Sequence, residues 1–312
     1  WPGEPAAGYD RPMTDPERVA LPTGVTAPIP RALFALALPV LASQVLRLAY
    51  QWVDALWVRD LGVYATAAVT TSLFAMWCVY SLNDIFAIGI IAYVSQLLGA
   101  GERRRAGVAA YKGIRASALL GLTGTVLGIF AARPIFALMN PDPAAVEAGA
   151  SYLGIVLAGA PFLLVGLTCE GIMRASGGTR TPLVIHLFAV SLNAVLDPFL
   201  IYGWGPFPKL GVAGAAWATV IAQATMVALF FTVAARGHRA FPLARHAGGL
   251  PVRIAGMARV GVPAALIGML FSAVYVAFAR SASRYGAASM AIVGIANRVE
   301  ALQFITSVAI GI

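Results

Sequence analysis

The stretch GVYATAAVTTSLFAMWCVYSLNDIFAIGIIAYVSQLLG, residues 62–99, is almost wholly apolar around one strongly polar pair, Asn83 and Asp84. A bilayer crossing takes about 20 helical residues, so this run is too long for one straight span. It is either two helices split at Asn83–Asp84 or one long helix that tilts or bends. The split leaves a later piece of only about 15 residues, short for a crossing, and moves every downstream loop to the other side. Seven further apolar runs lie at 32–57, 116–138, 148–173, 181–203, 211–235, 254–279 and 287–312. With 62–99 kept as one helix, the tail through Arg31 and segments 100–115, 174–180 and 236–259 share a side and hold 15 basic residues. The loops of the opposite side, with Arg133, hold five, and Arg47 and Arg298 lie within spans. Cytoplasmic loops of membrane proteins carry the basic excess. One long helix with a cytoplasmic N-terminus is therefore expected.

Composition agrees. Of the 312 residues, 60% are hydrophobic and 11% charged, against roughly 45–50% and about 25% in soluble domains, which excludes a water-soluble globule. The net charge of +9 then reflects loop placement, with no nucleic-acid partner implied. Residues 1–30 hold seven prolines and charges of both signs, too little apolar surface to offset ordering entropy, and are expected to form a disordered cytoplasmic tail. The expected fold is all-α, a polytopic membrane helix bundle with eight transmembrane helices. Residues 31–236 make an N-terminal six-helix lobe, 237–253 a cytoplasmic inter-lobe loop, and 254–312 the start of a second lobe. A weak internal repeat supports this division: Pro39 to Ile90 resembles Pro263 to Ile312, with AIGI at both 87–90 and 309–312. The copies are six helices apart and so run in the same direction, the parallel-repeat arrangement of some transporters. Two full units would hold about twelve helices, so the chain is expected to be a fragment.

Charges inside membrane spans are expensive and mark functional sites by default. On the first helix, at about 100° per residue, Ser43, Gln44, Arg47, Tyr50, Gln51 and Asp54 fall on one stripe about 120° wide. Leu46, Leu48 and Trp52 lie outside it, the pattern of a helix with one face on lipid and one on a polar cavity. A purely structural role for Arg47 and Asp54, satisfied by neighbouring helices, stays open. On the fifth helix Asn193 and Asp197 are stacked at i and i+4, and Pro198 frees a backbone carbonyl beside the carboxylate. Asp54 and Asp197 lie roughly 8 Å below the outer surface at ~1.5 Å per residue, which points to one shared outer-half cavity. Snorkelling interfacial charges are the alternative, although Asp is short for that. Asp84 and Glu300 are weaker candidates. Glu170 and Arg174 form an i,i+4 pair near the cytoplasmic surface, and His186 shares the face of Asp197 as a hydrogen-bonded histidine in preference to a proton relay. The buried-type Cys78 and Cys169 carry no redox information. Neither Lys112 nor Lys209 sits in a phosphate-binding loop, and no HExxH, cysteine cluster or nucleophile elbow occurs. Ion-driven transport fits better than ATP-driven transport or enzymatic chemistry, and no ATPase subunit is required.

The run LNAVLDPFLIYG at 192–203, followed by FPKLGVAGAAWATVIAQ at 207–223, resembles the fifth and sixth helices of the multidrug and toxic compound extrusion (MATE) family. VDALWVRDLG around Asp54, VSQLLGAGERRRA at 94–106 and GIMRASGGTRTP at 171–182 carry the same resemblance. The LDP pattern is similar to the branch related to the DNA-damage-inducible protein F. The resemblance implies two six-helix lobes that open alternately inward and outward, exporting organic and often cationic compounds in exchange for protons or sodium. It implies a cation and substrate cavity at Tyr50, Asp54, Asn193, Asp197 and, from GAAWAT, Thr219, with Arg47, Gln51 and Asp84 as secondary candidates. Sodium, if it is the driving ion, would sit at Asp54, Asn193 and Asp197. No cofactor is expected, and the full-length protein is expected to be a monomer in the plasma (inner) membrane. Val58, Arg59 and Asp60 depart from the family's glycine-containing pattern after the first helix. A lipid-linked oligosaccharide flippase of similar fold is the alternative, less favoured because only Arg47 is buried in the first lobe. A membrane-embedded aspartyl enzyme using Asp54 and Asp197 is the remoter one.

Overall fold

Val63–Gly99 is one unbroken helix, so the long apolar run does not divide at Asn83 and Asp84. It contains no proline, and its polar pair is accommodated by facing different ways, Asn83 buried and Asp84 half-buried. The computed structural model describes residues 29–139, 142–237, 241–244, 252–286, 288–297 and 299–300. The expected tail, most of the expected inter-lobe loop, Arg298 and the second AIGI copy at 309–312 thus lie outside the described residues.

Every regular element among the described residues is an α-helix: α1 (Ile29–Arg59), α2 (Val63–Gly99), α3 (Arg103–Met139), α4 (Pro143–Ala158), α5 (Ala160–Ala175), α6 (Arg180–Tyr202), α7 (Val212–Ala235), α8 (Ile254–Ser283) and the short α9 (Ala288–Asn297). By length and composition, α2, α3, α6, α7 and α8 suffice to cross a membrane, and α4 with α5 makes one more broken span.

Two boundaries differ from the sequence expectation. The third apolar run covers 116–138, yet α3 begins at Arg103. The basic residues expected in a 100–115 loop therefore ride on its first turns, and only Ala100–Glu102 link it to α2. Hydropathy marks where a helix enters lipid, whereas Arg, Lys and Ala continue the helix readily outside it. Glu102 pairs with Arg105 across the first turn. The fourth run, expected as one span over 148–173, is two helices bent by 51° about Gly159. Pro161 has no N–H to give the carbonyl of Leu157, which opens the helix there. Thr125 of α3 fills the gap: its hydroxyl donates to the Leu157 carbonyl at 3.0 Å and lies 3.3 Å from that of Ala158. Asp142 starts α4 by accepting from the N–H of Ala144 at 2.9 Å.

Small residues set the packing, as expected where lipid removes the hydrophobic drive between helices. α2 and α8 run antiparallel in close contact along most of their length. A methyl group at Gly89 would collide with the Met257 carbonyl, and one at Gly261 with the backbone carbonyls of Asp84 and Ile85. Further along the seam Phe74 and Trp77 of α2 pack edge-on and tilted against Phe271 and Tyr275 of α8. On the other flank α6 packs against both α7 and α1. Gly214 lets α7 approach the backbone of Leu200 in α6. The loop between α6 and α7 folds back so that the N–H groups of Leu210 and Gly211 donate to the carbonyls of Leu200 and Ile201, at 3.0 and 3.1 Å.

Candidate functional site

The junction of α1, α6 and α7 gathers the polar residues singled out from the sequence. On α6, Asn193 and Asp197 are both wholly buried, and Thr219 of α7 and Asp54 of α1 are each 6% exposed. Local chemistry explains how they meet. The alanines and glycine of 214–218 bring α7 close enough for its backbone to touch side chains of α6. Pro198 removes the donor that would serve the Ala194 carbonyl, leaving polar backbone beside the carboxylate. The Asn193 amide is oriented by its surroundings: its NH2 donates to Asp197 Oδ2 at 3.3 Å and its oxygen accepts from the Thr219 N–H at 3.2 Å. The Thr219 hydroxyl donates to the Ala215 carbonyl at 3.0 Å. Asp197 Oδ1 has no hydrogen-bond partner among the described residues, and the Asp54 carboxylate lies within electrostatic reach of Asp197.

Two carboxylates of like charge held out of water, one of them bonded to an amide, form a site that a cation neutralises. A proton needs a single carboxylate oxygen. Sodium is a hard cation bound by several oxygens, for which the Asn193 oxygen keeps a second lone pair beside its bond from the Thr219 N–H.

The structure therefore brings together Asp54, Asn193, Asp197 and Thr219. The side chains of Arg47, Tyr50 and Gln51 lie outside the described residues. Asp84 is on another pair of helices, at the α2–α8 seam with its backbone carbonyl against Gly261, and is not joined to the site. Ser43, from the same polar stripe, is 2% exposed and donates back to the Pro39 carbonyl at 2.9 Å, the acceptor position one turn earlier.

A second polar cluster lies between α5 and α6. Glu170 and Arg174 form the expected i,i+4 ion pair, and His186 Nε2 stands 3.8 Å from Glu170 Oε2. The pair was legible from spacing; the approach of His186 from the next helix was not. Thr168 and Ser117 share a buried hydrogen bond of 2.7 Å between α5 and α3, which spacing also did not show. The break at Gly159 has a signal in Gly159–Ala160–Pro161, which hydropathy masks because the surrounding run is apolar enough to span.

Comparison with known proteins follows the same lines. The MatE family model matches residues 39–199, just over half of the chain. The FAD transporter of Shewanella oneidensis is 27% identical over 251 residues, covering 79% of this chain and 55% of that protein. The probable multidrug resistance protein YoeA of Bacillus subtilis is 28% identical over 290 residues, covering 90% and 62%. Among solved structures, the MATE multidrug transporter DinF-BH superposes with a TM-score of 0.82 at 23% identity, over 92% of this chain and 64% of that one. That likeness establishes the fold. The chain spans between about half and two thirds of the length of these relatives. With the MatE match running through the helices that carry Asp54, Asn193 and Asp197, the chain belongs to the MATE family of membrane transporters.

Proposed function

We propose that this chain forms the first six-helix lobe and the beginning of the second in a secondary active exporter, which expels small organic, often cationic, compounds in exchange for a cation by alternating access. The observation that carries this reading is the buried pair Asp54 and Asp197, tied through Asn193 to the α7 backbone. Such a pair is costly inside a membrane unless it binds something. The names of relatives fit: a flavin nucleotide transporter, a probable multidrug resistance protein and a multidrug export protein, MepA of Staphylococcus aureus. The driving ion is a proton in preference to sodium, because a proton needs one acceptor and Asp197 Oδ1 is a buried carboxylate oxygen with no hydrogen-bond partner among the described residues. The N-terminus is cytoplasmic, by the basic excess of its loops, in a plasma (inner) membrane, and the full-length protein works as a monomer without an ATPase subunit. The flippase reading is not favoured: Arg174, the basic side chain drawn partly between α5 and α6, is committed to Glu170 and so is not available to a diphosphate.

The test is efflux of a fluorescent organic cation from vesicles holding the full-length protein, with proton and sodium gradients imposed separately. Export driven by the proton gradient alone is expected. Export that needs neither gradient but requires ATP would overturn the reading.

A further inference from the structure

Tyr202, the last residue of α6, donates from its hydroxyl to the backbone carbonyl of Trp57 in the last turn of α1, at 2.6 Å. The final carbonyls of a helix have no intrahelical donor. At the end of α1 two are served locally, Val58 by the N–H of Leu61 and Arg59 by that of Gly62, each at 3.0 Å. The Leu61 N–H, which would reach Trp57 in a continuing helix, is thus turned to Val58. The Trp57 carbonyl is served instead from another helix.

The aromatic surroundings fix the phenol in place. Trp57 and Trp204 flank the Tyr202 ring with centroids 6.1 and 6.2 Å away, and the Asp60 carboxylate stands beside its hydroxyl. An interfacial anchor is the plain alternative, since Tyr and Trp collect at membrane surfaces with their polar ends toward headgroups. Trp204, 51% exposed, fits that description. Tyr202 does not, because it is half-buried and its hydroxyl is spent on protein backbone.

Sequence position gives the tie its meaning. Asp54 precedes Trp57 by three residues and Asp197 precedes Tyr202 by five, so the bond joins α1 to α6 about one turn beyond the two carboxylates. We propose that Tyr202 is a positioning residue of the two-carboxylate site: by capping α1 from α6 it holds Asp54 opposite Asp197 and so sets how tightly the site binds the driving cation. This rests on the reading of that pair as the coupling site.

Tyr202→Phe removes the hydroxyl and keeps the ring. In proteoliposomes of the full-length protein it is expected to raise the half-saturating concentration of the driving cation about three- to tenfold, the scale of one hydrogen bond, with the half-saturating substrate concentration unchanged. Tyr64→Phe, the same loss of a hydroxyl at an exposed residue of α2, is expected to leave both unchanged. Parental cation dependence in Tyr202→Phe, or the same shift in Tyr64→Phe, would overturn the proposal. A second readout is independent of transport: spin labels at Arg59→Cys and Pro206→Cys, in a background without Cys78 and Cys169, report the distance between the two helix ends. Tyr202→Phe should broaden or lengthen that distribution, and an unchanged distribution overturns the proposal. If the parental protein transports without any cation dependence while the label distance does respond, the coupling reading fails and the tie itself stands.

Discussion

Asp197 has no solvent exposure, one carboxylate oxygen on Asn193 and a second carboxylate in electrostatic reach, so its charge state is governed by what else enters the site. Asp54→Asn and Asp197→Asn remove a costly charge and keep a hydrogen-bonding side chain. Both variants are expected to insert and fold, yet to lower cation-driven export by about tenfold or more, within the usual range of coupling energies. Efflux and the amount of membrane-inserted protein, measured together, check this. Parental rates in both would make the carboxylates structural. At this scale the sequence is informative about which polar residues come together, because an acid within a membrane helix is rare and Asn193 and Asp197 share a face by spacing alone. Thr219 emerged only through family resemblance, since a threonine in an apolar helix is unremarkable by itself. The direction of the Asn193 amide was not legible at all: it depends on the α7 backbone, reached through a detail of helix packing that no linear pattern encodes.

Helices were legible where hydropathy and secondary structure coincide and illegible where they part. α2 was recognised as one element because loop charges required it, and α6 and α7 fall within two residues of their apolar runs. The apolar run of α3 begins after its helix does because the first turns are basic, and α4–α5 keeps the hydropathy of one span because proline breaks a helix without changing it. The break depends on Thr125, whose hydroxyl serves the carbonyl that Pro161 abandons. Thr125→Val keeps the shape and removes the donor, and is expected to destabilise the bundle by about 1–3 kcal/mol, the cost of an unsatisfied buried carbonyl. Thermal unfolding in detergent measures it, with an unchanged midpoint counting against this account of the kink. The α2–α8 seam gives a comparable test. Gly89→Val forces a side chain into the Met257 backbone, and overpacking of this kind costs about 1–3 kcal/mol. A stability equal to the parent's would mean that the two helices do not lie as close as described.

As a whole molecule, the chain is half or somewhat more of its relatives' length, and alternating access needs two halves moving about a central site. Orientation is the first property to check at this scale. Cysteines at the exposed positions Arg104 and Pro206 lie on opposite sides of the bundle, in the first turn of α3 and after α6. The basic excess predicts that a membrane-impermeant reagent labels Arg104→Cys only from the cytoplasm and Pro206→Cys only from outside; labelling of both from one side would undo the topology. The lobe division and the repeat, read from a faint sequence likeness, stand as proposals because the second copy ends among residues outside the described ones. Organic substrate and cation are expected to compete through the Asp54–Asp197 site, and linkage makes that competition measurable without transport. When substrate binds to the purified full-length protein in weakly buffered detergent solution, a pH indicator should record release of about one proton per substrate bound, as reciprocal coupling requires. Asp197→Asn should bind substrate with little or no release. Substrate binding to the parental protein with no proton release, or equal release from Asp197→Asn, would contradict the account.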